Sequence, residues 1–184
     1  MKKKLKREGI EWVKAFGIGF IIFVFVRAFF FSSYVVEGES MEPTLENGNK
    51  LVINKIGYQI GDLHRFDVIV FHANSKEDYV KRVIGLPGDR IEYRGDHLYI
   101  NDVKIEEPFL NTLRKNDYGS KQTGDFTLKE LTGNETVPEG QLFVMGDNRL
   151  VSFDSRQIGF VSLERVVGKV NLRYWPMKEL DASF

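Results

Sequence analysis

The chain has 184 residues, room for one apolar segment and one globular domain. It contains no cysteine, which excludes disulfides, thiolate zinc sites and a cysteine nucleophile but leaves the compartment open. Its 26 Lys and Arg balance 26 Asp and Glu, so the distribution of charge carries more information than the sum.

Residues 1–14 are basic: Lys2, Lys3, Lys4, Lys6, Arg7 and Lys14 outweigh Glu8 and Glu11. A basic tip followed directly by an apolar run suggests membrane orientation more than nucleic-acid binding, with a solvated tail as the plain alternative. From Ala15 to Val26 there is no charge; Arg27 interrupts, and Ala28 to Phe31 resume. As a helix this stretch would span about 25 Å, the short end for a hydrocarbon core of about 30 Å. Trp12 suits the inner interface, and Arg27 can extend its head toward the outer one. The expectation is a cytoplasmic tip over 1–14, a transmembrane anchor over 15–33 and an extracytoplasmic remainder. Two rivals fit less well. A cleavable secretory signal would end in a small-x-small site, not in Phe29-Phe30-Phe31 followed by Ser32-Ser33-Tyr34. A half-buried helix would show an apolar stripe, whereas these residues are apolar all round.

The pattern then changes to short runs of branched and aromatic residues: 51–53, 68–71, 79–84, 142–145, and 166–170 continuing to Trp175. Residues 91–93, 98–100 and 103–105 form a close series, with Arg94-Gly95-Asp96 and Asn101-Asp102 as turns of a hairpin meander. No helical period is evident after the anchor. Residues 111–136 are polar, carry Gly119, Gly124 and Gly133, and read as a long loop or excursion. The fold class is therefore mostly β: one N-terminal transmembrane helix, then an all-β domain over 34–184 with folded or barrel-like sheets.

Three stretches could carry chemistry. Ser40 lies between Gly38, which permits unusual backbone angles, and Pro43, which stiffens the chain after it. A serine on a constrained turn suits a nucleophile, though this stretch alone reads more readily as a structural turn serine. It is also only nine residues beyond Phe31, so at most about 30 Å of chain separates it from the membrane surface. In the strand 79–84, Tyr79, Lys81 and Val83 share one face, and Val80, Arg82 and Ile84 the other. Each face carries one cation among apolar groups. Taken by itself, the strand favours cations that extend past the sheet rim into water. If Lys81 is buried instead, desolvation lowers its pKa and lets the neutral amine take a proton from a hydroxyl. The third stretch, Gly146 to Arg156, crowds hydroxyls, carboxylates, an amide and guanidinium groups into eleven residues, and suggests a hydrogen-bonded network. His64, His72 and His97 are the histidines; none lies in a nucleophile elbow or a zinc-spaced pair.

With these motifs in view, the chain resembles the type I signal peptidases, in particular the small single-anchor enzymes of Gram-positive bacteria. The resemblance rests on the anchor, Gly-Glu-Ser-Met-Glu-Pro-Thr-Leu at 38–45, Tyr-Val-Lys-Arg-Val-Ile-Gly-Leu-Pro-Gly-Asp at 79–89, and Gly-Asp-Asn-Arg…Ser-Phe-Asp-Ser-Arg at 146–156, in the family's order. It implies a serine endopeptidase with a Ser-Lys dyad: Ser40 as nucleophile and Lys81 as general base. It also implies that Ser152 orients the lysine and that Asp154 and Arg156 form a supporting ion pair, with Arg82 as a further member of that network. Two positions depart from the pattern. A serine two places before the nucleophile, an oxyanion donor in some relatives, is Gly38 here. The asparagine usual before the orienting serine is Val151, where the expectation is a local packing change.

The family's fold is a mostly β, two-part domain related to self-cleaving repressor proteases. The resemblance implies cleavage of signal peptides from exported preproteins after small-x-small sites. Implied partners are those signal peptides and cytoplasmic-membrane lipid, with the secretion machinery as a further candidate; no nucleic acid, cofactor or metal is implied. Two other classes remain open on the residues: an anchored β-domain that binds exported chains without cutting them, and a self-cleaving regulator. The second would need a DNA-binding amino terminus, and residues 1–33 supply only an anchor.

Overall fold

Branched and aromatic side chains place the strands in the computed structural model, which describes residues 11–24, 31–55, 63–111, 113 and 123–184. In chain order these are β1 Phe31–Val35, β2 Lys50–Asn54, β3 Val68–His72, β4 Asp78–Gly85, β5 Ile91–Arg94, β6 His97–Ile100, β7 Val103–Ile105, β8 Phe126–Thr127, β9 Gln141–Met145, β10 Val161–Ser162 and β11 Val166–Trp175. Seven form one sheet in the order β1-β2-β11-β3-β4-β9-β10, and four form a second in the order β7-β6-β5-β8. The pairings are antiparallel.

Strand β3 is central, and its run Val-Ile-Val-Phe is buried on both faces. Its alternation divides the core. Val68 and Val70 pack with Met41, Leu45, Leu51 and Ile53. Ile69 and Phe71 pack with Val83, Leu142 and Val144. A third cluster joins the sheets, with Ile84, Phe143 and Met145 against Ile91, Tyr93 and Leu98. Each such side chain stabilises the fold by about 1.5–3 kcal/mol through burial.

The expected meander is present. Arg94 pairs with His97 and Ile100 with Val103, which leaves two-residue loops at Gly95-Asp96 and Asn101-Asp102. All four loop residues have positive φ, from 51° to 66°. That is the type I′ geometry, whose twist matches the flanking strands and which Gly, Asn and Asp tolerate best.

Two expectations are corrected. The polar stretch 111–136 is not simply a loop: it contains β8 and a one-turn helix, Leu128–Thr132. Thr127 and Glu130 form a capping box at its start, and Gly133 ends it in the left-handed conformation. A second short helix, Ser155–Ile158, is capped by Asp154 and Gln157 in the same way. Neither is long enough to display a helical period.

At the amino end, residues 11–24 are helical with exposed apolar side chains such as Trp12, Phe16 and Phe20. Among the described residues no helix is long and apolar enough to cross a membrane. Most of the basic tip (1–10) and the stretch 25–30 with Arg27 lie outside the described residues. The boundary at residue 33 moves, because Phe31–Val35 is β1, paired along its length with β2.

Candidate active site

Ser40 sits on the reversal between β1 and β2. The reversal closes where Val36 N–H donates to Asn49 O at 2.9 Å and Gly48 N–H to Val36 O at 2.9 Å. Gly38 opens the turn with φ +89°, a conformation costly for any residue with a Cβ. Just after the serine, Met41 and Leu45 are buried in the core, and Leu45 N–H donates to Met41 O at 3.0 Å. Thr44 Oγ1 donates to Asp147 Oδ2 at 2.5 Å. The alternation of core anchors and polar ties leaves the hydroxyl of Ser40 held over β4.

Lys81 and Arg82 settle the choice between rim and interior, since they are only 4% and 5% exposed. Lys81 Nζ lies 2.7 Å from Ser40 Oγ and donates to Val80 O at 3.1 Å. Burial pushes its amine down from the ordinary 10.5 to about 8, against the opposing pull of Asp154 and Asp147. Arg82 goes elsewhere than expected. Its guanidinium grips Asp147 with two bonds, at 2.9 and 2.7 Å, donates to Phe66 O at 2.7 Å, and lies 4.2 Å from the Phe109 ring centroid. It therefore supports the Ser40 loop through Asp147 and Thr44 and does not bond to Asp154.

The turn after β9 binds these parts together. Asn148 N–H donates to Ser40 O at 3.1 Å, and Asn148 Nδ2 to Glu39 O at 3.1 Å. Gly146 packs so closely that a Cβ there would stand 2.3 Å from Ser40 O and 2.2 Å from Ser152 Oγ. Only glycine fits without moving the backbone of Ser40. Asp154 accepts from Gly146 N–H at 3.0 Å and pairs with Arg156 through bonds of 2.9 Å. Burial alone would raise the Asp154 carboxyl, but Arg156, the Gly146 N–H and the neighbouring Ser152 hydroxyl hold it below the usual carboxylate range. Ser152 Oγ is buried near this carboxylate and makes no hydrogen bond among the described residues; Lys81 does not reach it in this arrangement.

Three supports escaped the sequence reading in their particulars: Asp147 as partner of Arg82, Asn148 as clamp on Ser40, and Arg149. Arg149 is wholly buried and donates to Glu107 Oε1 at 2.6 Å, Tyr93 Oη at 2.8 Å, Thr123 Oγ1 at 3.1 Å and Gly146 O at 3.0 Å. All three lie inside the Gly146–Arg156 motif, but their partners outside it are 26 to 109 residues away. The histidines stay apart from Ser40 and Lys81: His72 bonds to Asp78 at 2.6 Å on the outer part of β4.

Ser40 and Lys81 face a groove of about 600 Å³, bordered by Val36, Gly38, Val80, Val151 and Phe153. Val151 borders this groove, so the residue expected to alter local packing instead faces open space.

Comparison with known proteins bears on the same residues. Residues 9–175 match the family described as "Signal peptidase, peptidase S26". The chain is 53% identical to "Signal peptidase I" of Bacillus caldolyticus over 100% of both chains. The chain belongs to the signal peptidase S26 family. It is also 44% identical to "Signal peptidase IB" of Staphylococcus aureus, across 98% of this chain and 96% of that one. A crystal structure of a signal peptidase I from Enterococcus faecalis V583 shares the fold with a TM-score of 0.56 and 46% identity, over 59% of this chain and 96% of that one. The mostly β signal-peptidase fold and the class of serine endopeptidase follow from this membership.

Proposed function

We propose that this serine endopeptidase removes signal peptides from exported preproteins after small-x-small sites, with Ser40 as nucleophile and Lys81 as general base. The observation that carries this reading is the 2.7 Å contact between Lys81 Nζ and Ser40 Oγ inside a buried site. Neutral Lys81 takes the hydroxyl proton as Oγ attacks the scissile carbonyl, with the Ser40 N–H as an oxyanion donor. The protonated amine then passes its proton to the leaving amine as the peptide C–N bond breaks. The same lysine activates water to hydrolyse the ester that remains. Ser152 has a role in the charged state. An ammonium has three N–H donors. Two are directed to Ser40 and Val80, and the buried Ser152 hydroxyl, whose lone pairs have no donor, is the acceptor for the third. Asp154 and Arg156 then hold the Ser152 loop, and Arg82 holds the Ser40 loop.

Substrate binding has an available edge. Strand β9 pairs with β4 only from Arg82 onward, so among the described residues no strand pairs with β4 residues 78–81 on that side. An extended peptide can add there by main-chain hydrogen bonds. Val36, Val70 and Val80 wall the groove beside it, which favours small side chains before the cut. The decisive experiment is processing of a preprotein by the purified enzyme, with Ser40→Ala as control; cleavage that persists in the control refutes the assignment.

The pH dependence follows from the depressed lysine. With a pKa of about 8, about a tenth of the amine is neutral at pH 7, against on the order of 0.03% for an ordinary lysine. The processing rate should rise about tenfold per pH unit below 8 and level off above it. Stability shifts in the same direction. Between about 8 and 10.5 the unfolded state binds more protons than the folded one, so stability rises with pH across that window. A rate unchanged from pH 6 to 9 would exclude a lysine base.

The chain's apolar amino-terminal run is proposed as a membrane anchor, with residues 1–14 in the cytoplasm and the β domain outside. Support comes from the charge asymmetry and from the exposed apolar faces of helix 11–24. Expressed in bacterial cells, the full chain should stay in the membrane fraction after carbonate washing and enter solution only with detergent. Release by carbonate alone would remove the anchor from the account.

A further inference from the structure

The loop from Leu150 to Asp154 alternates sharply. Val151 and Phe153 are 61% and 55% exposed, while Ser152 and Asp154 are 4% and 0% exposed. The buried members hold the loop in place. Ser152 N–H donates to Asn148 O at 3.0 Å, and Asp154 is pinned by Arg156 and Gly146 N–H. Two apolar side chains are thus presented rigidly to the groove that holds Ser40 and Lys81. Scattered apolar exposure is ordinary, but apolar groups fixed at the lip of a binding groove favour an apolar occupant.

The two sides of the groove differ in kind. A peptide lying along the free edge of β4 must leave that edge at Lys81, where β9 takes over the pairing at Arg82. Ser40 stands at this point, and Asn148 ties its carbonyl to the 148–153 loop. The chain continuing past the cut is therefore delivered to Val151 and Phe153. Resting on the signal-peptidase reading, we propose that Val151 and Phe153 form an apolar wall for the first two side chains of the mature protein, and so select apolar residues on the leaving-amine side of the cut. Valine at 151 sharpens that selection, because it offers no hydrogen bond to a polar side chain.

The test uses the full chain in detergent and one preprotein whose first two mature residues are varied among Leu, Gln, Asp and Lys. For the unmodified enzyme, kcat/KM with Leu should exceed that with Gln or Asp by about tenfold. Phe153→Glu should shift the preference toward Lys, and Val151→Lys should shift it toward Asp. A preference gained in this way cannot arise from damaged folding. A flat profile in the unmodified enzyme overturns the proposal while leaving the signal-peptidase reading intact. So do unchanged profiles in both variants, or loss of all turnover by both, because exposed side chains that only select substrate are not needed for the chemistry. An unmodified, folded enzyme that cuts no preprotein overturns the signal-peptidase reading and this proposal together.

Discussion

Ser40→Ala should abolish preprotein processing, and Lys81→Met should do so almost as completely. Where nucleophile and base act as one unit, removing either lowers kcat by about 10⁴- to 10⁶-fold, and removing both adds little. Methionine is the informative replacement for Lys81. It fills a similar volume in a pocket only 4% exposed, but it has no group that can take a proton. Lys81→Arg should be equally inactive, since a guanidinium stays protonated at any working pH. The stability change should run the other way. A buried amine is held against desolvation, so an apolar side chain of similar size there is expected to leave the melting temperature unchanged or raise it. Cleavage of a preprotein followed by gel, alongside thermal melting of each variant, separates the two effects. A Lys81→Met enzyme that processes normally would mean that Ser40 is activated by some other group.

Much of this arrangement was legible in the residues, for definite physical reasons. Strands β3 and β9 are short branched runs buried on both faces, and Gly95-Asp96 and Asn101-Asp102 carry the residue types that positive φ demands. Local context, a constrained turn and a cation within an apolar strand, made Ser40 and Lys81 no more than candidates; the resemblance of the three motifs to a known family singled them out. Burial of both Lys81 and Arg82 was not legible, since a single strand read alone permits either cation to reach the rim. Partner choice was also beyond local reading. Arg82 had two nearby carboxylates in the third motif, Asp147 and Asp154, and register decides between them: Arg82 lies opposite Met145, two residues before Asp147. The short helices carry local signals in the residues. Thr127 with Glu130, and Asp154 with Gln157, are N-terminal capping patterns that precede glycines at 133 and 159.

The least local feature carries the other large expected effect. Arg149→Met should destabilise the enzyme by about 3–5 kcal/mol, because it leaves the Glu107 carboxylate buried without its 2.6 Å partner. For a chain of this size that corresponds to a fall in Tm of roughly 10 °C. Glu107 and Tyr93 belong to the region of the smaller sheet, whereas Gly146 continues β9 of the larger one, so Arg149 ties the two together. The same guanidinium holds Gly146 O, one residue from Asp147 and two from Asn148, the residues that position the Ser40 loop. Processing should therefore drop even at temperatures where the variant remains folded. Adding Glu107→Leu removes the carboxylate that has lost its guanidinium and should recover much of the lost Tm. It should recover less of the activity, because Gly146 O still lacks its donor. Melting curves and processing rates for the single and double variants provide the comparison. If Arg149→Met melts within a degree or two of the unmodified enzyme, the buried pair is not what joins the sheets; if the double variant regains activity in step with Tm, the bond to Gly146 has no part in positioning Ser40.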